Sequence, residues 1–560
     1  MPALPSSTLL QRADARRFDV PRPLPEAIGR PAARPVAARR SALAGLLFPA
    51  LVAAVAIGGL LVVQGRIDFS LAEEGFQWYG AVATAHGAVP LRDFYSYDPG
   101  RSYWAAAWSL LLGDGILALR ASTAIFAAGG LLCGLLVARR GVRSRVGLAL
   151  LGVALALWMV PRNKQFEPAI AMAAVLVAVR LLERPDARRC LAAGVTVGLA
   201  LFFGKNHGLY LALAFLPLLA VAHARSDDRR TPGRLRTRLA AAGAGCALGA
   251  LPLLVMLAAV PGFARAYLDS ILFFLREGRT NFPLPVPWPW RLDLAGMSAI
   301  DRAQEIGASA CYLLLPAVAV AAIALGLRAG RDAWPRRAPL LAAGAIGLVY
   351  LHHAFSRADL GHLAESAAPA LLALVALPAA LTDSRRRRFA TAAVAVSLAL
   401  LTAATVVPAA PLGQALTPET MDDESEPCDV SDTTLLLDHH TARLLRGFRR
   451  TIDRLVPAGE PILFAPCLPG LYPLLGRPSP VFDVYPIWSG PSDDRMLREL
   501  RQRDVRWALV QDYPMDGRDE LRFSRTHPHT WAYLTSEFDR VSHRGLRLPG
   551  GAILLHKTQR

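Results

Sequence analysis

ALAGLLFPALVAAVAIGGLLVV, residues 42–63, is the first run of this sequence long enough to cross a bilayer, and LAEEGFQWYGAVATAHGAVPLRDFYSYDPG, residues 71–100, follows closely. A membrane-spanning helix needs about 20 predominantly apolar residues. The first stretch meets that length. Some forty Arg- and Pro-rich residues precede it, too many and too polar for a secretory n-region, so it reads as an uncleaved anchor. The second stretch places two adjacent carboxylates, an Arg-Asp pair and three tyrosines just beyond that anchor. Its meaning depends on which side of the membrane it faces.

Working outward, further apolar runs occupy residues 122–138, 146–160, 168–182, 191–203, 208–223, 239–260, 308–327, 339–352, 364–381 and 390–407. With the anchor they make eleven expected helices. The whole chain has 53% hydrophobic and 19% charged residues and a mean hydropathy of +0.32, against about 25% charged in soluble proteins. The expected class is a polytopic α-helical membrane protein. If the N-terminus is cytoplasmic, every second loop is arginine-dense: RRGVRSR, ERPDARR, ARSDDRRTPGRLRTR, RAGRDAWPRR and DSRRRR. All five then lie inside, as the positive-inside bias requires. This frame needs the run 103–119, YWAAAWSLLLGDGILAL, to lie along the interface rather than cross.

The net charge of +18 is therefore a topology signal, and its distribution does not suggest nucleic acid. Six cysteines show no CxxC spacing. Cys133, Cys190, Cys246 and Cys311 sit in apolar runs as packing residues. Cys428 and Cys467 could pair only if the tail lies in an oxidising compartment. Residues 1–41 are expected to be a disordered cytoplasmic arm, and 42–407 a membrane domain whose first outer loop is 66–119. From 408 to 560, PILFAP, RWALVQD and AILLH read as short strands, while 433–455 and 493–503 read as helices. That pattern predicts a C-terminal outer (periplasmic) α/β domain. It carries no nucleophile elbow, P-loop or zinc pattern.

On this topology five outer loops share one side, the longest over 261–307, and the other four gather ionisable groups. The first loop brings Glu73, Glu74, His86, Arg92, Asp93, Tyr95, Tyr97 and Asp98, and the next two bring Arg162, Lys164, Glu167, Lys205, Asn206 and His207. HAFSRADLGH adds Arg357, Asp359 and His362. Charges at membrane depth are costly unless paired or hydrated, so a water-filled cavity would account for them. A carboxylate can take the proton of an attacking hydroxyl, and Lys or Arg can neutralise a departing phosphate. Plainer readings stand beside these. Glu73 and Glu74 could favour a helix first turn; Arg92–Asp93 could be a local ion pair; Lys205 could snorkel. His207, His362 and the weaker His352–His353 pair fit structural hydrogen bonding better than metal ligation, and the Tyr and Trp side chains suit an interfacial belt.

The order EEGF followed by GAVPLRDFYSYDPG, together with GLALFFGKNHG and SRADLGH, resembles the GT-C glycosyltransferases. The resemblance is to glycosyltransferase family 39 and to the lipid A aminoarabinose or galacturonic acid transferase-like proteins. It implies transfer of a sugar from a polyprenyl-phosphate donor to a lipid, glycan or protein acceptor on the outer face of a bacterial inner membrane. It places Glu73 and Glu74 as the catalytic acids, with Glu at Glu73 where the family usually has Asp, so the base is open between them. Lys205 and Arg357 would be donor-phosphate cations, and Arg92, Asp93, Tyr95, Asp359 and His362 substrate-binding groups. No cofactor is implied, and a divalent metal stays open. The competing classes are a polysaccharide polymerase or ligase, a transporter with midplane charges, and a non-catalytic envelope-assembly protein.

Overall fold

The structure, a computed structural model, describes residues 36–278, 281–381, 384–409, 411–416, 425–488, 491–541 and 548–557. The expected arm over residues 1–41 lies outside them as far as residue 35.

In chain order the membrane-domain helices are α1 (Val36–Gln64), α2 (Glu73–Ala85), α3 (Pro99–Leu112), α4 (Ile116–Ala138) and α5 (Arg145–Leu157). Then come α6 (Phe166–Glu183), α7 (Ala187–Phe203), α8 (Lys205–Arg225), α9 (Arg234–Gly249) and α10 (Leu251–Ala259). The last are α11 (Phe263–Glu277), α12 (Ala299–Leu327), α13 (Trp334–Ser356), α14 (Leu360–Leu381) and α15 (Ser384–Thr405). Ten of the eleven apolar runs each fall on one helix, and 239–260 is divided between α9 and α10. Among the described residues, 8 helices are long and apolar enough to cross a membrane. The pair α9 and α10 is bent by 59° where Pro252 removes a helical N–H, and makes a ninth if it is counted as one broken span. The 13-residue α5 and 17-residue α7 are the shortest of the helices that run from one end of the bundle to the other.

The run 103–119 is divided by structure. Residues 103–112 belong to α3, a separate 14-residue helix that stops at Gly113 (φ 91°). Residues 116–119 form the first turn of α4, so that span starts earlier than residue 122.

The loops sort onto two ends of the bundle. At one end the arginine-dense loops meet each other. Arg140 pairs with Glu183, and Arg238 donates to Pro185 O (2.6 Å). Arg225 donates to Leu327 O and Ala329 O (both 2.7 Å), and Arg387 to Gly141 O (3.1 Å). At the other end Gln77 donates to Asn163 O (2.5 Å), Arg101 to Phe203 O (3.1 Å) and Asn281 to Ser356 (2.9 Å).

The C-terminal domain holds an antiparallel hairpin, β1 (Ser425–Val430) and β2 (Thr433–Asp438). It also holds a four-stranded sheet ordered β3-β4-β6-β5 from Ile462–Ala465, Trp507–Val510, Ile553–Lys557 and Phe538–Arg540. Strands β3 and β4 are parallel and the other pairs antiparallel. All three expected strands are present. The expected helix over 433–455 begins only at His439: Thr433 and Thr434 open a strand instead. Asp438 then caps the helix by accepting from the N–H groups of His440 and Thr441 (both 2.9 Å). Cys428 and Cys467 are free, buried thiols. Cys428 lies on β1 near Arg446, whereas Cys467 follows β3 and contacts Met515 Sδ at 3.7 Å.

The first loop is built into this domain. Leu436 donates to Arg66 O (2.8 Å), Gly470 to Leu71 O (3.0 Å) and Tyr95 to Phe482 O (2.7 Å). Phe76 and Trp78 share one apolar core with Leu435, Phe464 and Tyr472. At Gly75 a Cβ would lie 2.5 Å from Gly470 Cα, so only glycine allows the α2 backbone this close.

Candidate functional site

The two acids at the start of α2 have opposite surroundings. Glu74 is buried and gripped by Arg120 through two 2.7 Å hydrogen bonds, with Arg162 at 3.3 Å. Burial alone would raise its pKa, but Arg162 and Arg120 override it and hold the carboxyl below its ordinary range. The same two arginines donate to Gly65 O (2.8 Å), Gln64 O (2.8 Å) and Ile67 O (2.9 Å). They thereby tie off carbonyls left open around the end of α1. Glu74 is the anchor of that clamp. Neither acid caps its own helix; the Ser70 hydroxyl accepts from Glu73 N–H (3.1 Å) there.

Glu73 is half-buried. Its Oε1 accepts from the Tyr485 hydroxyl (3.3 Å) and its Oε2 faces Asn163 Nδ2 at 3.5 Å. Among the described residues no cation lies within 4.0 Å of it.

Beyond Glu73 lies a chain of charged groups that begins at Lys164. Lys164 sits 3.0 Å from Glu365 and 2.9 Å from His362 Nε2. His353 Nδ1 bonds Glu365 at 2.8 Å. His362 Nδ1 donates to Asp359 (2.8 Å), which leaves its Nε2 to accept from Lys164. Asp359 also pairs with Arg357 at 2.8 Å. Arg357 reaches Asp516 of the C-terminal domain through Nη1 and Nη2 (2.8 and 2.9 Å), and Phe282 O at 3.2 Å. Hydrogen bonding to Asp516 raises the Arg357 pKa and, in return, lowers that of Asp516. This is a salt bridge between domains.

A second group lies on α3 and α8. Arg101 binds Glu167 (2.7 Å) and His207 Nε2 (3.2 Å). Lys205 binds Asp98 (3.0 Å) and Tyr97 O (2.6 Å). A cavity of about 20 Å³, room for one water, is lined by Gln77, Ser96, Asp98 and Arg101.

The structure thus brings together Glu73, Lys164, Asp359, His362 and Arg357, with Lys205 in the neighbouring group. Tyr95 packs on Phe76 (5.8 Å) and Tyr97 (6.0 Å) in an aromatic cluster that Tyr485 joins. Arg92 and Asp93 stand apart as an exposed bidentate pair, with Asp93 also accepting from Val89 N–H (2.7 Å). Six members are not singled out in the sequence analysis: the charged Arg101, Arg120, Glu365 and Asp516, and Asn163 and Tyr485 beside Glu73. The signal for Arg120 and Glu365 was a lone ionisable residue inside an apolar helix, which must find a partner.

These buried ion pairs all sit at the bundle end that carries the C-terminal domain. The solved structure of ArnT from Cupriavidus metallidurans in the apo state matches with a TM-score of 0.50 at 14% identity, covering 92% of this chain and 98% of that one. The chain has the fold of ArnT. ArnT bound to undecaprenyl phosphate is matched at a TM-score of 0.49 and 14% identity, over 90% of this chain and 97% of that one. No family model and no curated protein matches the sequence. The likeness to ArnT is one of architecture, that of a polytopic membrane domain joined to a C-terminal domain.

Proposed function

We propose that this protein is a glycosyltransferase of a bacterial inner membrane, moving a sugar from a polyprenyl-phosphate donor to an envelope acceptor on the outer face. The observation that carries the reading is Glu73: an acid at the junction of α2 and the C-terminal domain, faced by neutral donors and by no cation within 4.0 Å among the described residues. A carboxylate so placed is free to accept a proton, whereas Glu74 is committed to Arg120 and Arg162. In the reaction an acceptor hydroxyl or amine attacks the anomeric carbon, its proton passes to Glu73, and the carbon–oxygen bond to phosphate breaks. The polyprenyl phosphate leaves with that electron pair. Lys205 would meet the developing phosphate charge by exchanging Asp98 for it. Arg357, engaged on all three nitrogens, would hold the C-terminal domain over the site, with Asp359 and His362 orienting Lys164. The grouping of charges at helix ends, not midway along them, speaks against a transport path.

The test is a panel of polyprenyl-phosphate sugars offered to the purified protein in proteoliposomes, read by sugar release or transfer. It is paired with mass spectrometry of envelope glycans with and without the gene product. Loss of one glycan modification and turnover of one donor is expected. Unchanged glycans and no turnover of any donor would refute the proposal.

A further inference from the structure

The proposed base does not rest on the membrane domain alone. Tyr485, 412 positions away in sequence, directs its hydroxyl to Glu73 Oε1 at 3.3 Å. This is a long hydrogen bond, but such bonds often tighten only when substrate arrives. Its ring packs on Phe76 (5.6 Å between centroids), which sets the direction of the hydroxyl. The backbone beneath is fixed as well, because Asp483 accepts from Tyr485 N–H at 3.3 Å.

We infer that Tyr485 is the positioning residue of Glu73, so that the C-terminal domain completes the catalytic site by orienting the base. This inference rests on the transferase reading above. A phenol in this place keeps one carboxylate oxygen engaged and turns the other toward the Asn163 side. It stays a proton donor at every working pH, since burial and then the negative charge of Glu73 push its own ionisation well above the usual range. The titratable groups facing Glu73 are Lys164 from the lead-in to α6, Tyr95 and Tyr97 from the first loop, and Cys467 and Tyr485 from the C-terminal domain.

The experiment measures kcat, KM and the pH–rate profile of the full-length protein carrying Tyr485→Phe, which keeps the ring and removes the donor. A hydrogen bond to the charged form favours that form. The acid limb of the profile should therefore move up by about one pH unit and kcat fall on the order of tenfold, with the donor KM unchanged. Tyr79→Phe is the control: its hydroxyl accepts from Ser479 N–H (3.4 Å) across the same domain junction without touching Glu73. It should leave the acid limb in place. An unmoved acid limb in Tyr485→Phe, or the same loss in both variants with no shift, would overturn the inference. If Tyr485→Phe does not accumulate, a fluorinated tyrosine at this position, a stronger donor of the same shape, should move the limb downward; no movement overturns it. Full transfer by Glu73→Gln would instead overturn the reading of the site itself.

Discussion

The two ends of the helix bundle treat charge differently. At the arginine-dense end, Arg225 lies over the Trp334 ring (4.3 Å) and caps carbonyls at the C-terminal end of α12, and Arg331 and Asp227 are 82% and 97% exposed at 3.8 Å. At the other end, Arg120 and Glu74 are 1% and 7% exposed at 2.7 Å. An exposed pair contributes up to about 1 kcal/mol, whereas breaking a buried pair costs about 3–5 kcal/mol. Charges at the first end tie the loops together. Those at the second end are expensive to keep buried, and the proposed site lies among them.

The largest effect expected from this contrast is on folding. Arg120→Met would leave Glu74 buried with Arg162 alone, and folded protein should fall as expected for a loss of about 3–5 kcal/mol. Arg331→Ala at the opposite end should stay within about 0.5 kcal/mol of wild type. Thermal melting of the detergent-solubilised protein measures both. Equal effects would erase the contrast.

A smaller effect concerns pH. Burial pushes the Asp483 carboxyl up to about 6. A raised carboxyl pKa means stability is full below the ordinary value near 4 and is lost as pH rises through about 6. The two-unit shift corresponds to up to about 3 kcal/mol. Melting temperature should therefore fall between about pH 4 and 6.5, and Asp483→Asn should flatten that slope. An unchanged slope would show that Asp483 is not held as described.

The smallest effect is expected at Arg225. Arg225→Ala removes a cation–π contact worth about 0.5–1 kcal/mol along with its carbonyl caps. Stability should drop slightly and sugar transfer, at matched protein levels, should not change. A large loss of transfer would bring the arginine end into the mechanism.

Much of the architecture was legible because apolar length and arginine spacing are local properties. The runs at 42–63, 308–327 and 364–381 each became a helix, and PILFAP became a strand. The separate α3 was readable from its Gly-Asp-Gly break. The two acids could not be told apart in sequence, since Glu73 and Glu74 are adjacent and chemically alike. Their difference comes from Arg120 and Tyr485, which lie far along the chain and meet them only by packing. Arg120 and Glu365 were hidden in helices whose average is apolar. Asp516 sits in a polar tail where one more carboxylate carries no signal. Helix α11 lay inside a stretch read only as a long loop.

In the proposed reaction Glu73, and not its neighbour, takes the acceptor's proton. The most direct measurement is sugar transfer by Glu73→Gln, beside Glu73→Asp and wild type, in membranes with matched amounts of folded protein. Glu73→Gln should lose about 10²–10⁴-fold, the usual scale for a general base, with an unchanged melting temperature and partial activity in Glu73→Asp. Full transfer by folded Glu73→Gln would rule out Glu73 as the base.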